Sequence, residues 1–176
     1  MEFYRTQRLI VRQFRESDAP QLLEYLADPT VNCFANEKLA TIDDAVREAT
    51  KKQNDFSQFA VCLKDTDKLI GHLFAMQEED TYNVGWNFNP KFHGQGFAAE
   101  AALNLFHHLF DQMGARRVYC YVEENNLPSQ KLCERLGMRR EGLFVEYISF
   151  VNGANGDPVY ENTLQFAILK KEWESR

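Results

Sequence analysis

A chain of 176 residues with a formal net charge of −6 is expected to form one domain, 1–176, with a core that needs no covalent staple. The acidic balance argues against nucleic acid as a partner, because phosphate binding wants a basic face. It favours a cationic partner instead, such as an amine or a basic peptide. No apolar run approaches bilayer-spanning length, and the mixed, charged start MEFYRTQRLIVRQF does not read as a signal peptide. The four cysteines, Cys33, Cys62, Cys120 and Cys133, are scattered and form no C-x-x-C pair, which points to a reduced, cytoplasmic protein with no metal and no membrane partner.

Leu9 to Phe14 reads as a short strand. Glu16 to Asp28 reads as a helix, with Ser17 as cap, Pro20 in its first turn and Leu22, Leu23, Tyr25 and Leu26 as its apolar face. Asp28-Pro29 ends it. Thr41 to Phe56 reads as a polar helix capped by Thr41 or Asp43. Phe59–Leu63 and Lys68–Gln77 make a hairpin around the turn Asp65–Lys68, and a second turn at Glu78–Asp80 leads into Thr81–Phe88. These three strands form an antiparallel meander.

A helix opening at Gly96 places Ala98, Ala102, Leu105, Phe106, Leu109, Phe110 and Met113 on one face, and Gly114 stops it. Arg117–Val122 is a buried strand. Pro128–Leu136 is a second helix, ended by Gly137. Leu143–Val151 and Tyr160–Leu169 are strands joined by the Asn152–Pro158 loop. The expected class is α+β, mixed, with a central sheet of about six or seven strands.

The chemistry concentrates where the strand Thr81–Phe88 stops at Asn89-Pro90. Three residues later comes His93-Gly94-Gln95-Gly96-Phe97-Ala98, and the long helix begins. Glycines let the backbone approach a ligand closely, and the first-turn N–H groups of a helix point outward with the positive end of its dipole. Together they make a seat for a pyrophosphate. Gly94, Gly96 and Ala99 also fit G-x-G-x-x-A, a variant of the dinucleotide fingerprint. However, Pro90 to His93 intervene between strand and glycine, and Glu123 and Glu124 lie farther on than the usual distance of about 20 residues. A phosphate-bearing cofactor seated differently therefore ranks above a nicotinamide dinucleotide.

Taken in order, these segments resemble the Gcn5-related N-acetyltransferases, the GNAT superfamily. Its signature R/Q-x-x-G-x-G/A is similar to His93–Ala98. A second signature, an asparagine followed by a helix ending in Gly-Phe, is similar to Asn125-Asn126-Leu127-Pro128-Ser129 through Gly137-Met138. The opening Thr6-Gln7-Arg8-Leu9-Ile10-Val11-Arg12 resembles the T-x-R-L-x-L-R start of the ribosomal-protein N-acetyltransferase branch, as do Asp18, Ile70-Gly71, Asn126 with Ser129, Glu141-Gly142, and Asp157 with Tyr160.

The resemblance implies a GNAT-type acyl-CoA N-acyltransferase fold, mostly antiparallel, with about four flanking helices around the sheet. It implies acetyl-CoA as co-substrate, with its pantetheine arm in an opening between the strand ending at Phe88 and the strand Arg117–Val122. Trp86, Asn87 and Phe88 would line that arm, although core packing explains Trp86 and Phe88 equally well. The amides of His93, Gly94, Gln95, Gly96, Phe97 and Ala98 would hold the pyrophosphate, Asn126 and Ser129 the pantetheine and thiol, and Lys131 the nucleotide end. Two positions depart from the pattern. His93 stands where the branch has Trp and the wider superfamily Arg or Gln, and Cys133 stands where the superfamily has a tyrosine general acid.

Acyl transfer from a thioester to an amine needs a neutral amine, a donor for the carbonyl oxygen and a hydrogen bond for the leaving thiolate. A backbone N–H near Asn87 or Phe88 is the expected carbonyl donor, and Ser129 the expected partner of the thiolate. Glu146 would take the amine's proton through water or attract the cationic amine, its bland reading being a solvated carboxylate. Glu123 and Glu124 read better as caps of the following helix. His72 reads as packed or surface, and His107 and His108 lie on different helix faces and make no metal pair. The expected reaction moves an acetyl group to a primary amine (protein N-terminus, polyamine or small amine) by direct attack in a ternary complex. A silent acetyl-CoA-binding module and a dinucleotide enzyme are the alternatives. Val31–Phe56 and the Val151–Val159 hairpin are expected to shape the acceptor side, in a monomer or homodimer.

Overall fold

Alternating apolar residues build one eight-stranded sheet in the computed structural model, which describes residues 1–176. In chain order the strands are β1 (Glu2–Arg5), β2 (Leu9–Arg12), β3 (Gln58–Leu63), β4 (Leu69–Glu78), β5 (Thr81–Phe88), β6 (Arg117–Glu123), β7 (Arg139–Asn152) and β8 (Pro158–Leu169). The helices are α1 (Ala19–Leu26), α2 (Ile42–Gln53), α3 (Phe97–His107), α4 (Leu127–Arg135) and the single turn α5 (Lys170–Trp173). The spatial order is β1-β2-β3-β4-β5-β6-β8-β7. Every neighbouring pair is antiparallel except β5 with β6. The expected class and the β3-β4-β5 meander hold. The strand beyond the expected six or seven is β1, which pairs only with β2 through an irregular register. No helix is long and apolar enough to cross a membrane.

The sheet separates two cores. On one face Val118, Cys120 and Val122 of β6 and Leu164, Phe166 and Ile168 of β8 pack with Ala101, Leu105 and Phe106 of α3 and Leu132 and Cys133 of α4. On the other, Leu22, Tyr25 and Leu26 of α1 and Ala45 and Ala49 of α2 pack against Ala60 and Cys62 of β3. Because strand side chains alternate, Tyr119, Tyr121 and Glu123 of β6 face away from α3.

Three local expectations need correction. Ser17 does not cap α1. A 3-10 turn spans Glu16–Asp18, and the Asp18 carboxylate accepts the Arg15 N–H at 2.8 Å. Met113 is not on the core face of α3. The helix widens into a π turn at His108–Gln112, which shifts the phase and leaves Met113 51% exposed. Arg117–Val122 is buried except at half-buried Arg117 and at Tyr121, which is exposed. Thr41 does cap α2, in a reciprocal capping box with Asp44.

The N-terminal edge is locked by a buried charge. Arg12 is enclosed between the sheet and α1, and its guanidinium makes a two-bond fork with Asp18 at 2.8 and 2.9 Å and a third bond to Asp67 at 2.9 Å. Removing one member strands a buried cation, a loss of about 3–5 kcal/mol. Asp18→Ala is therefore expected to lower the unfolding free energy by about 3 kcal/mol in urea titration, and Asp67→Ala, whose carboxylate is half exposed, by about 1 kcal/mol. Equal losses in the two variants would show that the buried fork is not the dominant contact.

Candidate functional site

β5 and β6 pair in parallel only through Thr81–Asn83 against Arg117–Tyr119. Beyond Asn83 the two strands part, while β5 stays paired with β4 as far as Phe88. The outer backbone edge of Val84–Phe88 is thus left without a partner strand, and its polar groups call for a ligand or water. Trp86, Asn87 and Phe88 all lie on this parted segment.

The chain leaves β5 through a 3-10 turn at Pro90–Phe92, where the Asn89 side chain accepts the Lys91 N–H at 3.0 Å. The His93 ring then reaches back, its Nε2 2.9 Å from the Phe88 carbonyl oxygen, so this departure from the family pattern fastens the turn to the strand end. Gly94 and Gly96 take φ of +74° and +80°, a region that costs other residues about 1–2 kcal/mol. Gly96 is the N-cap of α3, and no side chain caps the helix. None of the amides from Gly94 to Ala99 donates to a protein acceptor. Six successive positions, read from those same bonds, therefore present free N–H groups at the positive end of a helix, the geometry of an anion seat.

Arg8, absent from the expected site residues, braces this turn. Its Nη1 donates to the Gln95 carbonyl at 3.0 Å, its Nε lies 2.7 Å from Glu100 Oε2, and its guanidinium sits 4.3 Å from the Phe97 ring centroid. Glu100 also accepts Thr6 Oγ1 and the Arg8 N–H. Burial opposes ionisation of Glu100, but these hydrogen bonds outweigh it and hold the carboxyl below its usual range. The sequence signal for Arg8 was the T-x-R-L opening, and its partner lies 92 positions away.

Across the opening, Asn126 caps α4 by accepting the Ser129 N–H at 3.2 Å. The Trp86 indole N–H donates to Ser129 Oγ at 3.1 Å. That bond uses a lone pair of the hydroxyl and leaves its proton free to donate. Lys131 is exposed on α4. The structure thus gathers Trp86, Asn87, Phe88, the turn His93–Ala98, Asn126 and Ser129 around one gap.

Glu146 lies outside that gap, on edge strand β7. Residues 145–147 bulge opposite Asn162, and Glu146 has φ +48°. Its N–H donates to Asn162 Oδ1 at 2.8 Å, and Asn162 Nδ2 donates to Glu124 Oε2 at 2.8 Å, which ties the bulge to the end of β6. The Glu146 side chain is exposed. Glu123 and Glu124 do not cap α4, because Asn126 does. Glu123 turns beneath a 3-10 segment, Asn32–Glu37, and its Oε1 accepts the Cys33 N–H at 2.6 Å. Burial, with the Glu161 charge adding to it, raises the Glu123 carboxyl above its usual range. His72 is packed, its Nδ1 2.8 Å from Tyr25 Oη, and burial pushes it well below the usual imidazole value.

Residues 8–139 match a family model described as an acetyltransferase (GNAT) domain. The chain is 34% identical over 171 residues to YnaD of Bacillus subtilis (strain 168), described as an uncharacterized N-acetyltransferase, with 96% of this chain and 97% of that protein covered. A crystal structure of a GNAT-family acetyltransferase from Bacillus anthracis superposes with a TM-score of 0.86 at 32% identity, covering 98% of this chain and 100% of the other. RimL, a ribosomal-protein α-N-acetyltransferase in complex with coenzyme A, shares the fold at a TM-score of 0.75 and 16% identity, with 96% and 98% covered.

The position of the superfamily tyrosine is closed to solvent here. Cys133 is fully buried, its Sγ 3.5 Å from Cys120 Sγ, which in turn lies 4.0 Å from Met138 Sδ. A tyrosine ring has no room among these sulfurs. Cys133→Tyr is expected to destabilise the fold by about 2 kcal/mol through overpacking and to leave acetyl transfer no faster. A variant of unchanged melting temperature and higher activity would mean that this position opens toward the gap.

Proposed function

The chain belongs to the GNAT acetyltransferases, in their RimJ/RimL-like family, and on that footing we propose that it moves the acetyl group of acetyl-CoA to a primary amine by direct attack in a ternary complex. The observation that carries this reading is the run of unpaired amides from Gly94 to Ala99 beside a strand that has parted from its neighbour. The amides take the diphosphate, Lys131 meets the nucleotide end, and the pantetheine arm lies along the free edge of Val84–Phe88, where backbone pairing replaces the missing strand.

The thioester then rests between β5 and the start of α4. A backbone N–H near Asn87 or Phe88 donates to the carbonyl oxygen as charge develops on it. Ser129, oriented by Trp86 and Asn126, hydrogen-bonds the departing thiolate with its free proton. Glu146, exposed and bound to no cation, draws the positively charged amine toward the gap. Because the amine itself attacks the thioester carbonyl, no covalent enzyme intermediate is needed. The acceptor side, formed by Val31–Phe56 and the Val151–Val159 hairpin, carries the choice of amine.

Thiol release from acetyl-CoA, followed with a panel of small amines, polyamines and N-terminal peptides, tests the reaction. Release with at least one class is expected, together with a rise in melting temperature on adding acetyl-CoA. Gly96→Glu sets a carboxylate in the diphosphate seat and is expected to weaken acetyl-CoA binding by about 100-fold, or about 3 kcal/mol. Gly96→Ala carries the same φ strain without the charge and is expected to stay within about tenfold of the parent. Wild-type affinity in the glutamate variant would place the diphosphate elsewhere.

A further inference from the structure

Three acceptor atoms at the end of the β6–β8 ladder have no partner that matches their chemistry. Glu123 faces away from α3, and its direct cross-strand neighbour is Thr163. Glu161, two residues along β8, shares that face. The segment Asn32–Glu37 covers them. The Cys33 N–H holds Glu123 Oε1 at 2.6 Å, and Asn32 Nδ2 holds Glu161 Oε1 at 2.7 Å. Each carboxylate is thereby oriented through one oxygen by a neutral amide, and the only other protein donor beside Glu123 is the neutral Cys33 thiol. Thr163 Oγ1 is buried, at 4% residue exposure, with no hydrogen-bond partner at all. An orphaned buried hydroxyl of this kind is destabilising.

Neither carboxylate forms a salt bridge with Lys, Arg or His. Two like charges beneath one segment repel, and a cation between them would relieve the strain. A primary ammonium has three N–H donors. Two carboxylate oxygens and one hydroxyl oxygen are three acceptors. We propose that Glu123, Glu161 and Thr163 form the seat of the acceptor's ammonium group, which rests on the acetyl-transfer reading above. Beside the seat, Tyr121, Phe144 and Tyr147 form an exposed aromatic wall, with ring centroids 5.1 to 6.1 Å apart. Phe144 is the cross-strand partner of Thr163 on β7. Such a wall suits methylene groups and a cation approaching over the rings. The acceptor class is an unhindered primary amine on an alkyl chain.

Trp86 packs with the α3-side core, and its Ser129 contact lies on that side, so amine and thioester meet from opposite faces of the sheet. Glu123 takes one proton from R–NH3+. The freed lone pair forms the C–N bond at the thioester carbonyl as the C–S bond breaks; the sulfur keeps that electron pair and takes the nitrogen's second proton, leaving a neutral amide and a free thiol. The burial that raises the Glu123 carboxyl makes it a better proton acceptor than an exposed glutamate.

Melting temperatures measured against propylammonium chloride, with tetramethylammonium chloride and sodium chloride at equal ionic strength as controls, test the seat without any acetyl-CoA. A saturable rise with propylammonium alone is expected in the wild type and is expected to vanish in Glu123→Gln and Thr163→Val. Glutamine keeps the carbonyl that accepts the Cys33 N–H. Valine keeps the shape of threonine and removes the orphaned hydroxyl, so its ligand-free melting temperature is expected to rise. In thiol release from acetyl-CoA with propylamine, Glu123→Gln is expected to lose about 100-fold in kcat/KM, and Thr163→Val to raise KM with little change in kcat. Both variants are expected to keep the acetyl-CoA melting shift. Equal responses to propylammonium and tetramethylammonium, or wild-type responses in both variants, overturn the seat. A wild type that holds propylammonium through Glu123 but ignores acetyl-CoA supports the seat and sinks the acetyl-transfer reading.

Discussion

After Asn83, β5 and β6 stop pairing although both strands continue. A sheet that parts in its middle leaves one row of backbone donors and acceptors without strand partners, and those groups call for a ligand or water. The rest of the site follows from that gap. Trp86 and Ser129 bridge it on the α3 side, His93 ties the exit turn to its end, and the free amides of Gly94–Ala99 stand at its mouth. β6 is held in its divergent course from the other side by full pairing with β8, from Arg117 through Glu123.

Electrostatics divides the two entrances. The side of the glycine turn has a helix N-terminus and Arg8, both positive, while Glu100 is kept ionised by Thr6 and Arg8 as their anchor. The opposite side collects Glu123, Glu124, Glu146 and Glu161 around the ends of β6, β7 and β8. Opposite potentials of this kind would sort the proposed polyanionic carrier and cationic amine to different faces. The net charge of −6 hinted at the second partner but not at where it would sit.

Much of the fold was legible because its signals are local. Thr41 with Asp44 marks the start of α2, Gly114 marks a helix end, and period-two patterns mark the strands from Phe59 to Phe88. The glycine turn was legible for the same reason: two left-handed residues and an uncapped helix lie within a few positions of one another. Errors came where a distant group overrode a local preference. Ser17 is a reasonable cap, yet Asp18 is recruited by the buried Arg12 and closes the turn instead. Glu123 reads as a cap, but the Cys33 N–H, 90 positions away, claims its carboxylate. Cys133, which stands where the superfamily has a tyrosine general acid, is core.

The sequence by itself therefore determined the order of elements, the glycine turn at the start of α3 and the Asn126–Ser129 start of α4, because each depends on residues near one another in the chain. Only the tertiary structure decided that β5 and β6 part, that Arg8 braces the turn, and that Glu123, Thr163 and Glu161 share one buried face. Those depend on strand register and on which side of the sheet each segment crosses. A register shift of one residue moves a side chain to the opposite face, and the distance along the chain carries no trace of it.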